Sequence, residues 1–236
     1  MITIACVLKS GGDYDTDYVC RLQEGVAAYL SVPHRFVCLS DVDVPCERIP
    51  LVHGWPGWWA KMELFKLPGP LLYFDLDTII VASIDQLAAR VIAPPYNHFV
   101  MLRDFYRQDR SSGILGWSGD VSEIFDEFEG NYAAKATFER KPKATYMIVD
   151  GRQFRGDQEW LQVYLKSMEV WLSVTMAQDV MPGIYSYKVD IKKMKGLPQD
   201  AKIICFHGRP RPAELSANHE LRKCWCKRAK SESRTG

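Results

Sequence analysis

Leu71-Leu72-Tyr73-Phe74-Asp75-Leu76-Asp77 is the stretch on which the reading of the chain turns. Four apolar residues, with Pro68-Gly69-Pro70 before them and acids after them, read as a short strand buried on both faces. Strands of this kind lie in the middle of α/β sheets, where ligands bind outside the carboxyl ends. Asp75 and Asp77 are two apart on an extended chain, so they point the same way. Two carboxylates on one side suit a hard divalent cation. A bare Asp-x-Asp is equally a solvated turn, but its place between the apolar run and Thr78-Ile79-Ile80-Val81 favours a functional role.

Working outward, Ile2–Leu8 is an apolar, β-branched run that stops at Lys9-Ser10-Gly11-Gly12, a strand followed by a loop. Helical spacing of Tyr18, Val19, Leu22, Val26, Tyr29 and Leu30 predicts a helix over 17–30, and 35–39 is a second strand. The stretch 40–57 reads as loop, and Trp58, Met62 and Phe65 predict a helix over 58–67. Further strands are expected at 99–102, 113–117, 184–187 and 202–206, and helices at 121–128 and 158–168. Strands alternating with helices argue for one α/β domain around a mostly parallel sheet. That domain is expected to span 1–220, followed by a basic tail at 221–236.

Composition agrees with a folded domain: 236 residues, 47% hydrophobic and 25% charged. Thirty basic against 29 acidic residues leave a net charge of +1, so no global attraction to nucleic acid exists. The tail differs, with six Lys/Arg and one Glu, net +5, which at most supports weak peripheral contact with an anionic membrane. Seven scattered cysteines without a Cys-x-x-Cys pair suit a reducing cytoplasm better than a zinc site or disulfide framework. The N-terminus reads as a first strand and not as a signal peptide, and no run approaches the length of a membrane span.

Five further segments follow in a telling order. After the first strand come Asp13-Tyr14 and Tyr18; then Trp59-Ala60-Lys61-Met62-Glu63; then the Asp75-Leu76-Asp77 stretch; then Ser111-Ser112-Gly113; then Gly156-Asp157-Gln158; and last His207-Gly208-Arg209-Pro210-Arg211-Pro212. In this order and spacing the chain resembles the family-8 type retaining glycosyltransferases, the group of glycogenin and of bacterial lipooligosaccharide galactosyltransferases. The resemblance covers about residues 2–212. It implies a GT-A-like α/β fold with a Rossmann-like nucleotide-binding half, a nucleoside-diphosphate sugar donor, with UDP favoured, and a glycan, lipid or protein acceptor that it does not identify. It also implies Mn²⁺ (or Mg²⁺) held by Asp75, Asp77 and His207. Donor contacts fall on Leu8, Tyr18, Lys61, Asp75, Leu76, Asp77, Ser111, Ser112, Gly208 and Arg211, and catalytic roles on Asp157 and Gln158. Two departures stand out: Ser111 replaces the usual Asn, and Arg211 and Ala213 replace a Lys and a Trp. Arg keeps a positive charge for a phosphate.

The chemistry suits these residue types. Breaking the bond from sugar C1 to a diphosphate puts negative charge on the leaving group, which a divalent metal neutralises. Two carboxylates and an imidazole favour Mn²⁺ over Ca²⁺, while Arg211 and Lys61 add fixed positive charge. Asp157 is also placed to cap the helix beginning at Gln158. Of the tryptophans, Trp58 is expected in the core and Trp55, in the Pro-Gly loop, as a sugar-stacking surface. Lys188, Lys192, Lys193 and Lys195 read as a solvated face. Two other classes stay open. One is a catalytically inactive nucleotide-sugar-binding module. The other is a haloacid-dehalogenase-type phosphatase, which also uses Phe-Asp-x-Asp but places it near the chain start and follows it with Gly-Thr.

Overall fold

A computed structural model of the chain describes residues 1–93, 98–107, 109–141, 144–168, 173–194 and 196–226. In chain order the elements are β1 (Ile2–Leu8), α1 (Thr16–Tyr29), β2 (His34–Ser40), β3 (Glu47–Pro50), a 3₁₀ helix (Gly57–Lys66), β4 (Leu71–Phe74), β5 (Thr78–Ile80), α2 (Asp85–Ile92), β6 (His98–Arg103), β7 (Arg110–Trp117) and α3 (Ser122–Glu127). They continue with β8 (Thr137–Lys141), β9 (Ala144–Val149), β10 (Arg152–Phe154), α4 (Asp157–Ser167), β11 (Ser173–Met176), α5 (Ala177–Val180), β12 (Ile184–Ser186), β13 (Ile203–Cys205) and α6 (Glu220–Cys226).

The main sheet has seven strands in the order β11-β6-β7-β4-β1-β2-β3. Its pairs are parallel except those made by β7, which runs against β4 and β6. The carboxyl ends of β1, β4 and β6 therefore share one edge with the start of β7. A second sheet, β12-β13-β5, begins where β4 ends, because Thr78 of β5 pairs with Cys205 of β13. That pairing brings the segment after Cys205 back to the edge where Asp75 and Asp77 emerge. A third, antiparallel sheet, β10-β9-β8, leads into α4.

Leu71–Phe74 is buried at every position, as a central strand requires. Its side chains alternate between two cores: Leu72 and Phe74 join α1 and α2 on one face, while Leu71 and Tyr73 join the 3₁₀ helix and α4 on the other. On α1, Val19, Leu22 and Val26 repeat at helical spacing and are buried against the first core.

Several expectations change. The segment 58–67 is a 3₁₀ helix, so residues three apart line up, and Trp59, Met62 and Phe65 form the buried row. Trp58 is rotated outward and 48% exposed, whereas Trp55 is buried and stacked on His53, the reverse of the expected roles. The loop expected over 40–57 contains edge strand β3, which pairs parallel with β2. The stretch 221–226, expected as tail, is helix: Leu221 is fully buried and Trp225 packs on Tyr18 with ring centres 5.1 Å apart. The rest of that tail, 227–236, and Lys195 lie outside the described residues. Lys192 and Lys193 are exposed as expected, but Lys188 is half-buried.

Candidate active site

The shared strand edge gathers a compact charged cluster. Lys61, on the 3₁₀ helix and nearly buried, has its Nζ 2.9 Å from Asp75 Oδ1 and 3.2 Å from Asp157 Oδ2. It also donates to the carbonyl and Oγ of Ser112, at 3.3 and 3.2 Å, and lies over the Tyr73 ring. Burial works against the ammonium charge, but Asp157 and Asp75 outweigh it and hold Lys61 above the ordinary lysine range. Tyr73, two residues before Asp75 on β4, donates its hydroxyl to Asp75 Oδ1 at 2.5 Å.

Asp77 is sealed in, 3% exposed. Its Oδ2 accepts from Tyr14 Oη at 2.6 Å and from Arg211 Nη1 at 2.6 Å. Arg211 also reaches Asp13 Oδ2 at 3.0 Å and lies over the Tyr14 ring. Burial and then the Asp75 charge push the Asp77 carboxyl up to about 6, against the pull of Tyr14 and Arg211. Five carboxylates (Asp13, Asp75, Asp77, Asp157, Glu214) thus face three cations (Lys61, Arg209, Arg211). The imbalance is one a divalent cation would correct, and hard carboxylate oxygens are suitable ligands for it.

His207 follows β13 and stands close to this edge by strand register. Its Nε2 is 2.6 Å from Ser186 Oγ, and its ring lies against Phe105 and Tyr106. Burial, then the charge of Lys188, holds the imidazole below its usual range, which favours the neutral form that can bind a metal. Among the described residues, however, no three His, Cys, Asp or Glu side chains are gathered as a ready metal cage. The two carboxylates share a strand end, while the imidazole is turned to Ser186.

The remaining expected residues fall as follows. Asp157 is the first residue of α4 and Gly156 is its cap, so Asp157 does not cap the helix; its carboxylate turns inward to Lys61. Gln158 accepts from Ser111 Oγ at 3.0 Å, and its amide nitrogen lies 3.4 Å from Asp104 Oδ2. Ser111 and Ser112 reach the edge because β7 starts there. Leu8 and Leu76 are buried in the core, so their side chains face away from solvent. Tyr18 packs edge-on to Tyr14. Gly208 has φ +72°, a conformation that favours glycine. Tyr14 and Tyr73 join the cluster without having been expected there. Tyr73 has a readable signal, since it shares a strand face with Asp75.

Solved structures with the same architecture align over nearly the whole chain. The glycosyltransferase GlyE of Streptococcus pneumoniae TIGR4 superposes with a TM-score of 0.62 at 13% identity over 95% of this chain and 60% of its own. The fold is that of glycosyltransferases. The galactosyltransferase LgtC, solved in complex with donor and acceptor sugar analogs, gives 0.56 at 12% identity over 95% of both chains. The bifunctional glycosyltransferase WbbM gives 0.56 at 9% identity, over 96% of this chain and half of its own. This glycosyltransferase-fold chain thus spans about 60% of the length of GlyE but nearly all of LgtC. No protein-family profile matches the sequence, nor does any curated protein. No helix among the described residues is long and apolar enough to cross a membrane.

Proposed function

We propose that the chain is a metal-dependent, retaining glycosyltransferase that moves a sugar from a nucleoside-diphosphate sugar, UDP-linked, to a glycan, lipid or protein acceptor. The observation that carries this reading is the convergence of Lys61, Asp75, Asp77, Asp157 and Arg211, from four separate segments, at the carboxyl edge of a glycosyltransferase sheet. Open α/β sheets bind nucleotides at that edge.

In this reading Asp75 and Asp77, joined by His207 once it leaves Ser186, would hold Mn²⁺ or Mg²⁺, and the bound ion would supply positive charge for the departing diphosphate. Arg211 and Lys61 add charge that is already oriented before the reaction begins. Asp157 Oδ2 is buried and, among the described residues, accepts no hydrogen bond beyond its ion pair with Lys61. Its negative charge would stabilise positive charge that grows on a sugar bound at this edge. Gln158, held by Ser111 and Asp104, lines the sugar position. Free thiols at all seven cysteines suit a reducing compartment.

Incubation with Mn²⁺ and a panel of UDP-sugars tests the reading, with UDP release as the signal. One sugar is expected to be turned over, and Asp157→Ala to slow it greatly. Tight binding of a UDP-sugar without release by the wild type would favour the inactive module. The Ser111–Gln158 bond, which replaces the amide expected at 111, makes that the second reading.

A further inference from the structure

Most cations at the donor edge are matched by carboxylates. Lys61 contacts Asp75 and Asp157, Arg211 contacts Asp77 and Asp13, and Arg209 contacts Asp13 and Glu214. A diphosphate entering this cluster meets positive charge that is already compensated. Lys188 differs. It lies just beyond β12, half-buried, and among the described residues no carboxylate and no hydrogen-bond acceptor holds its ammonium. Its Nζ lies over the face of Gly208, 2.8 Å from where a side-chain carbon on that residue would stand. Gly208 favours glycine for its positive φ, and the ammonium lies in the space that a side chain there would enter.

We infer that Lys188 is a donor-binding residue whose ammonium takes the distal phosphate of a nucleoside diphosphate beside Gly208. This rests on the transferase reading above and adds a residue to it. An ammonium of this kind is a mobile point charge on a flexible stem, suited to a phosphate oxygen. Because no ion pair needs to break first, its full charge is available to the ligand. The neighbouring backbone turns through a left-handed residue, the kind of bend in which successive N–H groups can face an anion.

Calorimetric titration of uridine, UMP and UDP, with Mn²⁺ present, tests this on the wild type, Lys188→Met and Lys188→Arg. Lys188→Met keeps the length of the stem and removes the charge. It is expected to weaken UDP by about tenfold, the size of one charge-assisted hydrogen bond, and to leave uridine and UMP within about twofold of wild type on that same scale. Lys188→Arg should recover most of the loss. Unchanged melting of both variants would show that the fold is intact; if Lys188→Met unfolds, Lys188→Gln, which also removes the charge, gives the same comparison. UDP binding to Lys188→Met as tight as to wild type would overturn the assignment. So would an equal weakening of all three ligands, which marks a structural role. A wild type that binds none of UDP, GDP, ADP or inorganic pyrophosphate would defeat the transferase reading and this one together, and is told apart because it needs no variant.

Discussion

Arg211 and Asp77, 134 residues apart in the chain, form a 2.6 Å ion pair that closes the late His-Gly segment onto the end of β4. The same guanidinium reaches Asp13, so the first loop, the central strand and the last loop meet in one side chain. An arginine there is both an asset and an obstacle. In the proposed transferase it would supply charge for a phosphate, but it occupies an oxygen that the proposed metal would use.

A competition follows from that shared oxygen. Mn²⁺ should bind nucleotide-free Arg211→Ala about threefold to tenfold more tightly than wild type, because one charge-assisted hydrogen bond no longer has to be displaced. UDP should bind the same variant more weakly. Titration of the paramagnetic ion, followed by spin resonance, checks the first statement. Equal Mn²⁺ affinity in the two proteins would mean that the metal does not use Asp77 Oδ2.

The metal-bridged reading makes a thermal prediction. UDP should raise the melting temperature more in Mn²⁺ than in EDTA, since a ligand stabilises by binding the native state alone. Asp77→Asn should erase the difference between the two conditions while leaving a cooperative transition. Identical shifts in Mn²⁺ and EDTA would remove the metal from the donor site.

Lys61 is the buried partner of two carboxylates, and its loss leaves both without it. Lys61→Met is expected to cost about 3–5 kcal/mol, the usual penalty for breaking a buried pair from one side. Urea denaturation at neutral pH measures it. Lys61→Met combined with Asp157→Asn should recover part of the loss. A single-variant cost below about 1 kcal/mol, an exposed-pair value, would mean that water reaches the cluster.

Asp41 makes one pH-dependent contribution whose sign can be worked out. Burial raises this carboxyl, but hydrogen bonds from Lys9 Nζ, Ser10 Oγ and Ser10 N–H outweigh it and hold it at about 2. A carboxyl depressed on folding contributes stability above its unfolded value, and the contribution fades as pH falls from about 4 to about 2. The group is partly open to solvent, so Asp41→Asn should cost about 1 kcal/mol at pH 7. The gap between the two proteins should close in acid. A gap that stays constant from pH 7 to pH 2 would contradict the pairing.

α6 should behave as part of the domain. Trp225 packs on Tyr18 and is flanked by the Arg21 and Arg222 guanidiniums. Trp225→Ala is expected to cost about 3 kcal/mol through the cavity it leaves. Chain ending after Glu220 should lose at least as much, measurable as a lower melting temperature. A truncated protein as stable as the full chain would show that the helix contributes nothing.

What the sequence determined by itself was local. The strands 2–8 and 71–74 are legible because every residue in them is apolar or small and the runs are cut off by glycine, proline or acid. Helix α1 is legible from its spacing, and Asp75 and Asp77 from standing at a strand end. Elements with weaker patterns were not read, among them β3, β5, α2 and the sheet β10-β9-β8, whose β8 is mostly exposed and carries little hydrophobic signal. The 3₁₀ winding, which turns Trp58 outward and puts Trp59, Met62 and Phe65 in the buried row, was not legible from the spacing either. Only the tertiary structure decided the charge pairing. Lys61 meets Asp157, Arg211 meets Asp13 across 198 residues, His207 turns to Ser186, and Lys188 comes to rest over Gly208. The physical reason is range: hydrophobic period and turn chemistry act between neighbours in the chain, whereas a buried charge finds its partner through the crossovers of the sheet, which place distant loops on one edge.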